Sequence, residues 1–105
     1  MASGSGAEGG YTVVGGGRNN TASGNCSAVL GGQLNTASGS YSGILGGKSN
    51  HTCGCANSFI IGSNLCSIMT CTTHVNCLAI MNIPTSSAGL CSGMVWSDSG
   101  TLKIV

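Results

Sequence analysis

The segment Asn20–Asn35 reads NTASGNCSAVLGGQLN, and Asn35–Asn50 reads NTASGSYSGILGGKSN. A chain that repeats itself at so short a period is confined to stacked units, each too small to bury an apolar face alone. The apolar pairs Val13-Val14, Val29-Leu30, Ile44-Leu45 and Ile60-Ile61 follow one another at 16, 15 and 16 residues. Each is followed by glycine: Gly15-Gly16, Gly31-Gly32, Gly46-Gly47, then Gly62-Ser63. Between them a second phrase recurs as NNTASGNCS at 19–27, LNTASGSYS at 34–42 and SNHTCGCANS at 49–58. Its register is Thr21, Thr36, Thr52 and Gly24, Gly39, Gly54, which makes three full copies and a fading fourth.

The units are strands. The apolar signal is two or three residues wide and then breaks, with no helical i, i+3, i+4 pattern, and glycine recurs too often for helix interiors. Short β-branched runs divided by Gly, Asn and Ser read as strands and turns. A period of 15–16 residues fits one coil of two short strands and two corners, with coils stacking at about 4.8 Å. Glycine supplies the left-handed backbone of the corners, and the repeated Asn suits αL turn positions. The fold class expected is all-β: a parallel β-roll or solenoid over residues 11–65, a β-rich bridge over 66–83 and a tip over 84–105.

Charge limits the partners. Of 105 residues only 5% are charged, and the net charge is +1. Nucleic-acid binding needs clustered Lys and Arg, which are absent here. Disordered chains are usually more charged and poorer in aliphatics. No apolar run reaches the length of a membrane span. One Trp, one Phe and two Tyr give a thin core per chain, so burial against further copies is expected. The opening MASGSGAEGG has neither a basic nor an apolar signal region and is read as a flexible leader or tag over residues 1–10.

On these residues, SAVLGGQLNTASGSYSGILGG resembles the head repeats of trimeric autotransporter adhesins and related repeats of phage and viral fibres. The resemblance covers about residues 11 to 65. It implies parallel β-rolls intertwined as a homotrimeric fibre, with Val13, Val14, Val29, Leu30, Ile44, Leu45, Ile60 and Ile61 as core and trimer contacts. The third copy departs from the pattern, with HTCGCANS in place of NTASGSYS. The tail NCLAIMNIPTSSAGLCSGMVWSDSGTLKIV looks like the C-terminal end of phage and large-virus fibres, through Ile83, Pro84, Thr85, Ser86, Trp96, Asp98, Gly100, Leu102, Lys103 and Ile104. Two strand-like runs, 94–96 and 101–105, flank the turn residues SDSG and predict a β-hairpin. Its expected role is to cap the trimer, with Trp96 as an apolar plug and Lys103 on the solvent face.

Chemistry-bearing residues are few. Seven cysteines, Cys26, Cys53, Cys55, Cys66, Cys71, Cys77 and Cys91, cannot all pair within one chain. A zinc site would draw on His51, Cys53, Cys55, Cys71, His74 and Cys77, but their spacing matches no known finger. A disulfide scaffold is a second reading. The favoured one is Cys as a small buried hydrophobe in a narrow coil, with Cys26 in the place of Tyr41 one copy on. The GGKS at 46–49 ends like a phosphate-binding loop, yet Ser42 stands where that loop needs glycine. Glu8 and Asp98 are the only carboxylates, too few for an acid/base pair or a calcium cage, so no enzyme and no cofactor are expected. Three Asn-x-Ser/Thr triplets, at Asn19, Asn25 and Asn50, are products of repeat composition.

Two functions are weighed. One is a structural fibre on a virion surface, partnered by its own copies, by other virion proteins and by a host receptor or glycan, with a bacterial adhesin head as the nearby variant. The other is an ice-binding solenoid presenting Thr21-x-Ser23 and Thr36-x-Ser38 as hydroxyl rows. The rows end at the third copy, and the tail has no part in ice binding, so the fibre is preferred.

Overall fold

A computed structural model describes residues 5–105. It is an elongated body of 48 × 21 × 20 Å built from strands, with no helix among the described residues. The strands are β1 (Gly6–Ala7), β2 (Val13–Val14), β3 (Thr21–Ala22), β4 (Ala28–Val29), β5 (Thr36–Ala37), β6 (Gly43–Ile44), β7 (Phe59–Ile61), β8 (Thr73–Val75), β9 (Val95–Asp98) and β10 (Thr101–Ile104). One parallel sheet has the order β1-β3-β5 and a second the order β2-β4-β6-β7-β8. Alternation of the two sheets along the chain makes a β-solenoid, each coil adding one strand to each sheet until the first sheet dwindles to single bridges at His51 and Cys66.

The registers revise the expected alignment. Val14 lies beside Val29, Val29 beside Ile44, Ile44 beside Ile60 and Ile60 beside His74. Val13 pairs with Ala28 and not with Val29, so the first step is one residue shorter than the apolar pairs suggest. Strand side chains alternate between faces. Each apolar pair is therefore divided. Val29, Ile44 and Ile60 are buried with Ala22 and Ala37, and Val14 and Leu65 pack against them. Val13, Leu30, Leu45 and Ile61, expected in the core, lie outside the chain's own core.

The third copy is also shifted. His51, not Thr52, stands beside Thr36. Thr52 takes the inward place next to Ala37 and is fully buried. Its hydroxyl accepts the Ser38 and Gly39 N–H groups at 2.9 and 3.0 Å, standing in for a ladder carbonyl. The extra residue is absorbed in a tight turn in which Cys55 N donates to Thr52 O at 2.9 Å, with Cys53 and Gly54 at φ +52° and +73°.

One corner needs glycine outright. At Gly32, φ is +88°, and a Cβ would sit 2.0 Å from the Gly47 carbonyl oxygen of the next coil. Coils at β-ladder spacing leave no room there for a side chain.

Residues 5–10 belong to the stack and not to a leader: Gly6 N donates to Asn20 O and Glu8 N to Ala22 O, both at 2.8 Å. The rest of the proposed leader, residues 1–4, lies outside the described residues. Of the strand-like bridge, Thr73–Val75 alone forms a strand, and residues 76–94 form none. Their apolar side chains Leu78, Ile80 and Met81 are exposed, with no sheet edge of the same chain engaging them. The C-terminal hairpin is present: β9 and β10 pair antiparallel, Trp96 opposite Lys103. Its loop is Ser99-Gly100 at φ +52° and +91°, the signature of a type I′ turn, whose twist suits a two-residue hairpin. It is tied back through Ser97 N to Pro84 O at 2.8 Å.

Candidate interaction surfaces

The repeated Asn works inside the solenoid. Asn20, Asn35 and Asn50 are completely buried, one above another. Asn35 Nδ2 donates to Gly31 O and Gly47 O at 3.0 Å and to Asn20 Oδ1 at 3.1 Å. Asn50 N donates to Asn35 Oδ1 at 3.0 Å, and Leu65 N to Asn50 Oδ1 at 3.1 Å. Each amide thus satisfies the inward-turned glycine carbonyls of its own corner and the next. A serine row does the same at the opposite corner: Ser27 Oγ donates to Gly24 O at 2.7 Å and Ser42 Oγ to Gly39 O at 2.6 Å. These buried polar atoms are all partnered and offer nothing to a ligand. Asn50 is therefore closed to glycosylation, whereas Asn19 and Asn25 are exposed.

The apolar surplus is on the outside. On the β2-β4-β6-β7-β8 sheet two columns face outward, Val13-Ala28-Gly43-Phe59-Thr73 and Gly15-Leu30-Leu45-Ile61-Val75. No charged residue stands in either. Leu30, Leu45 and Ile61 are 59%, 55% and 50% exposed. Because Gly43 carries no side chain, a groove of about 320 Å³ opens between Ala28, Leu30, Leu45, Phe59 and Ile61. This face is contiguous, uncharged and apolar but for Thr73 at its end, the kind of patch that marks an interaction site.

The β1-β3-β5 sheet carries the hydroxyls. Thr21 pairs with Thr36, so the expected row exists, but His51 follows Thr36 in it. The ladder ends after two threonines. His51 Nε2 lies 3.3 Å from Ser38 Oγ, which also accepts the Gly54 N–H at 2.8 Å.

The cysteines are not the buried hydrophobes expected. Cys26, Cys71, Cys77 and Cys91 are exposed and Cys55 is half-buried. Cys53 and Cys66 form a disulfide across adjacent coils, with Cα atoms 6.3 Å apart. Among the described residues no three His, Cys, Asp or Glu side chains converge as a metal site. The six residues considered for zinc are thus not brought together: Cys53 is committed to the disulfide, and His74 Nδ1 lies 3.4 Å from Phe59 O in the last coil. The spacing of Cys53 and Cys66 carried no signal, because their proximity depends on the coil closing. The disulfide joins residues 13 apart in sequence, next to the place where the extra residue enters. Cys53→Ser is expected to lower unfolding free energy by about 2–4 kcal/mol, as denaturation with and without reductant will show. An equal response to reductant in wild type and variant would disprove this.

At the tip, Trp96 shares a face with Lys103, so the two do not divide into the plug and the solvent face expected of them. The Lys103 Nζ stands 5.7 Å from the Trp96 ring centroid and 2.6 Å from Asp98 Oδ2. The opposite face carries Val95, Leu102 and Ile104, the latter two 64% and 71% exposed. Lys48 of the GGKS segment lies in an exposed corner row with Arg18 and Gln33, and no helix follows it. No helix among the described residues is long and apolar enough to cross a membrane. No protein-family model, curated protein or solved structure significantly matches the chain.

Proposed function

We propose that this chain is a structural, non-enzymatic fibre module whose solenoids assemble as homotrimers and project from a virion surface. The observation that carries the reading is the uncharged outer column of Leu30, Leu45 and Ile61, exposed in a single chain. Each solenoid coil repeats this column at about 4.8 Å, so copies meet as ridges of matching pitch. The proposed role of the hairpin follows from its two faces. Val95, Leu102 and Ile104 turn toward the neighbouring chains, while Trp96 is sheltered by Lys103 on the other side. An isolated two-stranded hairpin is marginal in water, so its apolar face gains most from being covered. The virion placement rests on the combination of head-like repeats with the fibre-like tail. Attachment to other virion proteins and to a host receptor belongs to the same reading.

Light scattering at micromolar concentration is expected to give the mass of three chains, surviving dilution because association and folding are linked. A folded monomer overturns the proposal. Truncation after Ile83 is expected to lower thermal stability or leave aggregates. Discrete trimers of unchanged stability would instead free the tip to be a binding surface.

A further inference from the structure

The chain has only four aromatic side chains, and both tyrosines stand on one corner of the solenoid. Cys26 N donates to Gly10 O at 2.7 Å and Tyr41 N to Asn25 O at 2.8 Å, which places Tyr11, Cys26 and Tyr41 in one row, coil upon coil. The row continues through Asn57 and Cys71 and contains no charged residue. All five residues are left-handed, Tyr11 at φ +56° and Tyr41 at +55°. Asn57 shows what such a corner prefers, since Asn and Gly adopt this conformation cheaply and a bulky residue does not. The tyrosines gain little burial in exchange: Tyr11 is 94% exposed and Tyr41 59%. A costly backbone position filled twice by an exposed aromatic is a mark of function more than of packing.

The geometry points to a ligand. Two coil steps separate the rings along the fibre, about 9.6 Å. That is close to the distance between alternate sugars of an extended β-linked glycan, whose flat pyranose faces stack on aromatic rings. Between the tyrosines the exposed Asn25 has its Oδ1 engaged by Gly10 N at 3.2 Å, leaving its NH2 group for a sugar hydroxyl. The absence of Lys and Arg from the row argues for a neutral sugar chain and against an anionic one. We propose that the Tyr11–Asn25–Tyr41 ridge is a binding site for neutral, extended β-linked oligosaccharides. The site lies within one chain and does not depend on how many copies assemble.

Calorimetric titration of the full chain with cellohexaose and chitohexaose tests it, with α-linked maltohexaose as the curved control. Binding of at least one β-linked hexasaccharide, and no binding of maltohexaose, is expected. Tyr11→Asn and Tyr41→Asn are each expected to weaken binding tenfold or more while leaving the melting temperature unchanged or raised, because Asn relieves the left-handed corner. Light scattering on the same samples is expected to show unchanged particle mass. Absence of binding to both β-linked probes, or undiminished binding by the double variant, overturns the proposal. So does loss of assembled mass in the double variant, which would make the ridge a chain-to-chain contact.

Discussion

Replacing Asn35 with Ala is expected to unfold the coil stack. The side chain is fully buried and lies at the centre of the amide ladder. Its loss strands the Gly31 carbonyl and the Asn50 N–H, which have no other partner, and takes one of two donors from the Gly47 carbonyl and the Asn20 Oδ1. Each buried group left without a partner costs about 1–3 kcal/mol. The summed penalty, about 2–6 kcal/mol before the lost packing of the side chain is added, reaches the lower end of an ordinary domain's whole stability, about 5–15 kcal/mol. Asn19→Ala is the control. Asn19 sits one residue before Asn20 but is exposed, at φ +56°, so only its left-handed preference is lost. Far-UV circular dichroism against urea is expected to show Asn35→Ala unfolded, or nearly so, where Asn19→Ala keeps a cooperative transition. Equal midpoints for the two would mean that the ladder is incidental to the fold.

The same ladder shows what could be read before any coordinates. Asn20, Asn35 and Asn50 recur at 15 residues, and that recurrence alone implies stacked coils. Their burial was not legible. Asn suits an exposed αL turn and an inward carbonyl bridge equally well by composition, and the choice is made by which way the glycine carbonyls face. The apolar pairs misled for a related reason. A strand of two residues, such as Gly43–Ile44, is too short to show alternation, so Ile44 and Leu45 look equivalent until the sheet separates them. The fold's first coil was hidden by substitution. Ser5 occupies the Asn place, its Oγ accepting Asn20 N at 3.1 Å, and Gly6–Ala7 replaces Thr-Ala. Thr52 was misaligned because an inserted residue near Gly54 moves one half of the repeat and not the other. Of the candidate surfaces, the tyrosine row is aligned by the repeat, Cys26 standing in the place of Tyr41, but its left-handed backbone and exposure need the corner geometry to become visible.

Leu45→Asp separates folding from assembly. Leu45 is 55% exposed in a single chain, in the outward column between Leu30 and Ile61, so a carboxylate there leaves the chain's own core of Val29, Ile44 and Ile60 intact. In the proposed trimer the same position is covered in every copy. Three unpaired carboxylates would then be desolvated near one axis, at a cost of several kcal/mol each, and they would repel one another. The variant is expected to lose the trimer mass completely at micromolar concentration. Ile44→Asp, one residue earlier, points into the core beside Val29 and Ile60 and is expected to unfold the chain itself. Lys48→Ala, on the exposed corner, is expected to change neither property. The decisive comparison is sedimentation against circular dichroism for the three variants. A Leu45→Asp protein that sediments like wild type would remove this face from the interface. The exposed apolar residues of 68–81 and the Leu102–Ile104 side of the hairpin would then be the surface through which copies meet.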